Sequence, residues 1–206
     1  LIGTDVTGTR ALGNGAGGVV LFGNLTSLGV MNVIGGTAAG AGNVISGNSS
    51  GRGIEIRDPG ANGNIVQGNK IGANTAGTGG VPNQIGVSIA WGPDNNLIGG
   101  AAANAGNLIG YNTTDGMHLV ESGDPTLNNA ILGNAFHSNG GLGIEGALPG
   151  VPFPIPKDGH EVMWNHLTRY TGNTFCKYDS YNVDDSLNTD ASDDDVLTAD
   201  GEVHAT

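Results

Sequence analysis

The chain has few of the residues that mark several common protein classes. Its 206 residues include one cysteine, Cys176, which excludes an intrachain disulfide and a cysteine-based metal cluster. Seven basic residues stand against nineteen acidic ones, a net charge of −12. This balance disfavours nucleic acid and anionic membranes as partners, because both attract clustered lysine and arginine. No stretch approaches the roughly 20 apolar residues of a membrane-spanning helix. We therefore expect neither a nucleic-acid-binding protein nor a membrane span.

Glycine, in contrast, is abundant, and the sequence repeats itself. The chain contains 39 glycines, and the segment 33–48 reappears at 97–112 with ten of sixteen positions identical. No Gly-X-Y period is present, which excludes collagen. A sequence with this degree of internal similarity is typical of a repeat architecture, in which each repeat is one small structural unit.

Three kinds of short apolar run alternate along the first 145 residues. Each run is three to five residues long, alternates with a period of two, and is bounded by glycine and asparagine, which predicts short strands joined by turns. The first kind begins at a glycine and the other two begin at an asparagine: Gly18, Gly53, Gly86, Gly116 and Gly143; Asn32, Asn64, Asn96 and Asn129; Asn43, Asn69, Asn107 and Asn134.

Runs of one kind are expected to stack in parallel at about 4.8 Å per coil. Their isoleucines and valines would fill one narrow interior, so that Ile45, Ile71 and Ile109 lie in a single file, while the asparagines form ladders at the corners. The sequence thus predicts an all-β fold, a right-handed single-stranded parallel β-helix (solenoid) of about five coils with three short strands per coil.

The Asn-x-Ile-x-Gly-Asn and Gly-Val-x-Ile runs resemble the right-handed parallel β-helix repeats of the pectin-lyase-like superfamily. More narrowly, they are similar to Gly/Asn-rich coils of large bacterial surface and secreted proteins. The resemblance covers residues 1 to about 145. It implies the fold and an extracellular or cell-surface location, but no single activity, because this fold hosts lyases, hydrolases, adhesins and inert spacers.

Two segments define the expected domain organisation. Residues 1–146 form the coils, and Leu1-Ile2 is predicted to be the third strand of a coil whose first two strands are absent, as in a piece of a longer protein. Residues 147–206 form a proline-rich connection followed by an aromatic and acidic cap or small module. This second segment has eleven acids against three bases.

The outward positions of the first strand kind carry the candidate chemistry. The column nearest each glycine reads Val20, Glu55, Ser88, His118 and Glu145. If the protein is an enzyme, Glu55, His118 and Glu145 are the candidate catalytic residues, because the resemblance implies that substrate lies along this strand face. The alternative is a solvated polar face with ordinary surface contacts.

Two further kinds of site follow from the residue types. Trp91, Arg57 and His118 are candidate glycan-binding residues, although Trp91 is equally suited to clamping a neighbouring turn. Asp190, Asp193, Asp194 and Asp195 offer hard oxygen ligands, so calcium is a candidate ligand there, with a solvated acidic tail as the alternative. The five histidines show no ligand spacing that would suit zinc. No other cofactor is expected.

The functional expectation is a structural and binding scaffold outside the cell or on its surface. In this hypothesis a rigid β-helix segment associates with itself end to end through open coils, or contacts a polysaccharide. The rival hypothesis is a polysaccharide-degrading enzyme, either a lyase or a glycoside hydrolase, with substrate along the face of the first strand kind.

Overall fold

The computed structural model describes residues 1–24, 31–120, 126 and 128–146, together with the backbone of six short strands between residues 161 and 204. This part of the chain contains strands and turns and no helix. The coils form a parallel β-solenoid, as the repeat predicts. No helix of a length and hydropathy suited to crossing a bilayer occurs among these residues.

Each coil contributes one strand to each of three parallel sheets. The first sheet consists of β1 (Gly17–Phe22), β4 (Arg52–Arg57), β7 (Ile85–Ala90), β10 (Met117–Val120) and β13 (Ile144–Gly146). The second sheet contains β2 (Val33–Gly35), β5 (Ile65–Gln67), β8 (Leu97–Gly99) and β11 (Ala130–Leu132). The third sheet contains β3 (Val44–Ile45), β6 (Lys70–Ile71), β9 (Leu108–Gly110) and β12 (Ala135–His137).

The expected number of about five coils is slightly too high. The second and third sheets each receive four strands from the coils, so that the chain makes about three turns between the first and the last of them. Among the strands of the coils, only the first sheet receives a fifth one, β13. At the other end, Ile2 forms an isolated parallel bridge with Ile45, which places Leu1-Ile2 in the third sheet as predicted.

The core is a set of vertical files of aliphatic side chains. Ile45, Ile71 and Ile109 are partners in register on successive strands and have no exposed surface, which confirms the predicted single file. A second file runs through Val66 and Ile98 in the second sheet. Full burial of one such side chain contributes about 2 to 3 kcal/mol, so the stacked files supply the main driving force for folding.

Asparagine ladders connect the coils at the three corners. In each ladder the side-chain amide of one asparagine, usually with its backbone N–H, donates to the Oδ1 atom of the asparagine in the next coil. The ladders supply hydrogen-bond partners for backbone groups at the corners, where no sheet continues. Their members are Asn14, Asn48, Asn83, Asn112 and Asn139; Asn32, Asn64, Asn96 and Asn129; and Asn43, Asn69, Asn107 and Asn134.

Glycine is required where the chain turns beside a ladder. Gly99 has φ +87°, and a Cβ atom there would overlap the carbonyl oxygen of Leu132 in the next coil. Such a backbone conformation is open to glycine at no steric cost. The high glycine content is therefore a consequence of packing corners at the spacing of β-strands.

Short strands follow the coils. They are β14 (Glu161–Met163), β15 (Thr168–Tyr170), β16 (Asn173–Cys176), β17 (Ser180–Tyr181), β18 (Val196–Leu197) and β19 (Val203–His204). β16 continues the second sheet in parallel with β11, and β14 continues the third sheet antiparallel to β12. The four candidate calcium ligands, Asp190, Asp193, Asp194 and Asp195, lie outside the described residues, and the predicted division into 1–146 and 147–206 stays a prediction.

Candidate functional site

The outward column of the first sheet has the predicted register. Glu55 of β4 pairs with Ser88 of β7, Ser88 with His118 of β10, and His118 with Glu145 of β13. We call these four residues the polar column. Its members alternate along each strand with buried core residues such as Ile54 and Ile56, so the column stands on the outer surface of a rigid stack.

The side chains of His118 and Glu145 are in contact in this column. The imidazole Nε2 atom lies 3.3 Å from the Glu145 Oε2 atom. The His118 side chain is 26% exposed and that of Glu145 is 46% exposed, so the pair is accessible from the outer surface. The structure thus brings together two of the three candidate catalytic residues.

Ser88 does not complete a nucleophile–base arrangement. Its side chain is fully buried, and its Oγ atom has no hydrogen-bond partner among the described residues. The Nδ1 atom of His118, the nitrogen turned away from Glu145, has none either. A serine activated by histidine requires a hydrogen bond between these two groups, and neighbouring strands hold the side chains side by side instead.

Glu55 and Glu145 do not form the carboxylate pair of a glycoside hydrolase. They are three strands apart in the first sheet, a distance of about 14 Å between their backbones. Hydrolases of this kind hold their carboxyl groups roughly 5 to 9.5 Å apart. Moreover, the Glu55 side chain contacts its own strand, where its Oε1 atom lies 3.6 Å from Arg52 Nε. A glycoside hydrolase that uses Glu55 and Glu145 as its two carboxylates therefore has no geometric support.

Arg57 lies between two aromatic rings at one end of the same face. Its guanidinium carbon is 5.2 Å from the ring centre of Phe22 and 5.7 Å from that of Trp91, which is within the range of cation–π attraction. Its Nε atom is 3.5 Å from a carboxylate oxygen of Asp58. Trp91, with φ +62°, is half-buried in this stack rather than fully exposed.

The candidate glycan-binding residues therefore share one surface. Arg57 and Trp91 are in contact, whereas His118 lies in the polar column two strands from Arg57. The sequence places Phe22 on the outward side of this sheet, but sequence reasoning selected neither Phe22 nor Arg52 as a site residue. The structure confirms that Phe22 and Arg57 share one outward column, because the two residues are partners in register.

Buried polar atoms without partners are concentrated on this face. Among the described residues they are Arg52 Nε, Arg57 Nε, Ser88 Oγ and His118 Nδ1. All four belong to the first sheet, on β4, β7 and β10. Buried polar groups in native proteins nearly always have a partner, either in the protein or in bound solvent. Two of these buried atoms, the arginine Nε atoms, face carboxylate oxygens at 3.6 and 3.5 Å, beyond hydrogen-bond distance.

No cluster of three or more histidine, cysteine or carboxylate side chains suited to a metal ion occurs in the part of the chain that the structure describes.

The outward columns of the second and third sheets differ in composition from the polar column of the first sheet. They carry Ile65, Leu97 and Ala130 on the second sheet, and Lys70, Leu108 and Ala135 on the third.

Comparison with known proteins yields two partial matches. Residues 123–199 match a family model described as "Protein of unknown function (DUF1329)", which covers less than half of the chain. The "Uncharacterized protein PA3922" of Pseudomonas aeruginosa is 58% identical over 33 residues, 16% of this chain and 7% of that protein. The chain thus matches a small part of that relative's length. No solved structure matches the chain.

Proposed function

We propose that the chain is a rigid β-solenoid scaffold, displayed outside the cell or on its surface, that presents the outer face of the first sheet to glycans. The observation that supports this proposal is the distribution of side chains among the three sheets. In the described residues, the two arginine–carboxylate pairs, the His118–Glu145 contact and the two cation–π contacts all lie on the first sheet or directly beside it. The outward columns of the other two sheets are mainly aliphatic.

The scaffold role rests on how the coils are held. The fully buried files and the asparagine ladders bond every coil to the next, which fixes the spacing of the outer columns. A rigid surface loses little entropy when a ligand binds. Arginine and aromatic groups beside carboxylates are a combination that recognises sugar hydroxyls and the apolar faces of sugar rings. The resemblance to coils of surface and secreted proteins supports the location.

A glycan array tests the binding role. We expect wild-type protein to bind one or more immobilised glycans, and Arg57→Ala to weaken this binding about tenfold or more, because it removes the cation between Phe22 and Trp91. Lys70→Ala is the matched control, since it also removes a cation but from the third sheet. An array without any hit, or equal losses of binding in the two variants, would contradict the proposal.

Labelling of intact source cells with a specific antibody tests the proposed location. Absence of label on intact cells, with label on lysed cells, would contradict it.

A second candidate function is polysaccharide cleavage, and the His118–Glu145 pair favours it. A histidine held by a carboxylate can remove or supply a proton at the sugar, as a lyase or hydrolase requires. The test is release of unsaturated or reducing sugar from acidic polysaccharides. Activity that disappears in both His118→Ala and Glu145→Gln would establish an enzyme and replace the scaffold proposal.

A further inference from the structure

We propose that two copies of this chain join through the first coil of the solenoid, in a two-fold arrangement that stops at the dimer. The inference goes beyond the proposed function, because it concerns the end of the coil stack and not the outer face of the first sheet. The contact surface is the uppermost layer of core side chains, which we call the open end. Its members are Ile2, Val19, Leu21 and Ile34.

The core of the solenoid is uncovered at the open end. The four side chains pack against the core but are only partly buried. Their partners in register on the next coil, in contrast, have no exposed surface: Ile45, Ile54, Ile56 and Val66. The two layers occupy equivalent positions, so their burial differs because the upper layer has no coil above it. An apolar surface placed on the open end would remove these side chains from water, which is favourable.

The opposite end of the core is closed. Ile131, Phe136 and Ile144, the core residues of the last strands of the three sheets, are at most 6% exposed. Beyond the coils, β16 continues the second sheet and β14 the third. In the part of the chain that the structure describes, the core is therefore open at one end. A second copy can offer only the same surface, and a contact between identical surfaces is two-fold and closed.

The distribution of charge favours a second copy as the occupant of this end. Asp5 and Arg10 are the only charged side chains in residues 1–51, so residues 52–206 carry the whole net charge of −12. Two acidic chains repel each other as they approach. This repulsion is smallest when the neutral first coils face each other and the later coils lie farthest apart.

The backbone of the first coil can also pair in such a dimer. A two-fold axis perpendicular to the solenoid reverses the direction of winding, so that strands of the two copies meet antiparallel. The fold already accepts an antiparallel strand at a coil edge, because β14 pairs in this way with β12. In the described structure β1 and β2 each have one free edge, and free edges favour pairing with another chain.

Sedimentation equilibrium of the full chain tests the inference. The average mass should rise with concentration and level off at twice the 20.6 kDa of one chain. Leu21→Glu should weaken association about tenfold or more, because it places two carboxylates in the joint core. Leu108→Glu is the matched control, since Leu108 is also a half-buried leucine but lies on the outer side of the third sheet, within the stack. Circular dichroism establishes that both variants keep their strands.

A mixture of Leu21→Glu and Leu21→Lys tests the two-fold arrangement directly. Both side chains point into the narrow interior, so a two-fold contact brings the carboxylate of one copy near the ammonium group of the other, within about one screening length. The mixture should therefore regain the dimer that each variant alone has lost.

Three results would overturn the inference. A mass that grows beyond two chains would show that the first coil meets the opposite end of another copy in an open series. A chain that stays monomeric at every concentration would show that no second copy covers the open end. A mixture that associates no better than its two components would show that the two Leu21 positions do not meet. The glycan array decides the proposed function separately, because the outer face of the first sheet is not part of this contact.

Discussion

Ser46 and Ser88 are both fully buried, yet their hydroxyl groups have opposite surroundings. The Ser46 hydroxyl donates to the carbonyl oxygen of Ala73 at 2.7 Å and accepts from the backbone N–H of Gly72. The Ser88 hydroxyl has no partner among the described residues. One serine therefore stabilises the fold through its hydroxyl, whereas the other contributes no such hydrogen bond. Burial alone would not separate these roles, because it is the partner atoms that differ.

Asp5 gives a prediction at the residue scale. Its Oδ1 atom accepts hydrogen bonds from the Thr7 hydroxyl at 2.8 Å and from the backbone N–H groups of Thr7 and Thr9. These bonds, the Thr7 hydroxyl first, hold the pKa of the Asp5 carboxyl below its usual value. Because they favour the ionised form, the stabilisation is complete above the unfolded pKa and is lost as the pH falls through the lowered pKa.

We expect the amide NMR signals of Thr7 and Thr9 to titrate with a midpoint below that of an unfolded peptide of the same sequence. Asn74 is a built-in control, because its Oδ1 atom accepts from Gly77 and Thr78 in a matching turn and does not titrate. Asp5→Asn should remove the titration and keep the turn. A midpoint equal to that of the peptide would show that the carboxylate has no such bonds in solution.

At the scale of elements, we expect the stability lost on replacing a ladder asparagine to depend on the position of that asparagine in its ladder. Asn83 lies inside its ladder: its Oδ1 atom accepts from Asn48, and its amide donates to Asn112 and to the Ile45 carbonyl oxygen. Asn14 is the exposed first member of the same ladder and donates only to Asn48. Loss of an inner member leaves several buried groups unpaired, whereas loss of the first member leaves one acceptor partly unpaired.

Asn83→Ala should therefore lower the free energy of unfolding by about 2 to 4 kcal/mol, and Asn14→Ala by less than about 1 kcal/mol. Urea denaturation of the two variants measures both values. Similar losses for Asn83→Ala and Asn14→Ala would mean that the ladder adds little beyond the sheets themselves.

Strand β8 provides a second prediction for elements, because adjacent residues point in opposite directions. Ile98 is fully buried in the core, whereas Leu97 is half-buried on the outer side. Ile98→Asp buries a charge without a partner and should abolish cooperative unfolding at room temperature, a loss of more than about 5 kcal/mol. Leu97→Asp should cost about 1 to 2 kcal/mol. Circular dichroism melts compare the two variants. Cooperative melting of Ile98→Asp would mean that the Ile98 side chain points outward instead of into the core.

The alternation in β8 was predictable from the sequence, and so was the common file of Ile45, Ile71 and Ile109. Both follow from the period of the strands and from the requirement that apolar side chains leave water. The contact of Arg57 with Phe22 and Trp91 was not predictable, since it depends on side-chain directions in three different coils. The missing hydrogen bond between Ser88 and His118 is of the same kind. Register places these residues side by side, but only the side-chain torsions decide whether they touch.

At the scale of the whole molecule, the described solenoid exposes its apolar surface at one end. Among the residues whose burial the structure describes, the large exposed hydrophobic ones all occur within the first 33 positions: Leu1, Val6, Leu12, Val20, Phe22, Met31 and Val33. In the described structure β1 pairs only with β4, and β2 only with β5, so each has one free edge. Free strand edges beside apolar side chains favour pairing with another chain.

The end-to-end association that belongs to the scaffold hypothesis therefore has a specific test at this end of the solenoid. Sedimentation velocity of the chain should show an average mass that rises with concentration. Val33→Lys places a charge on the free edge of β2 and should weaken association about tenfold or more, because edge lysines block strand pairing. Leu97→Lys is its control, since Val33, Ile65 and Leu97 share one outward column and Leu97 lies within the stack. A particle that stays monomeric at every concentration, or equal effects of the two lysines, would mean that the free edge is not an assembly surface. The scaffold would then act as a single unit, and its proposed role would rest on glycan binding by the first sheet alone.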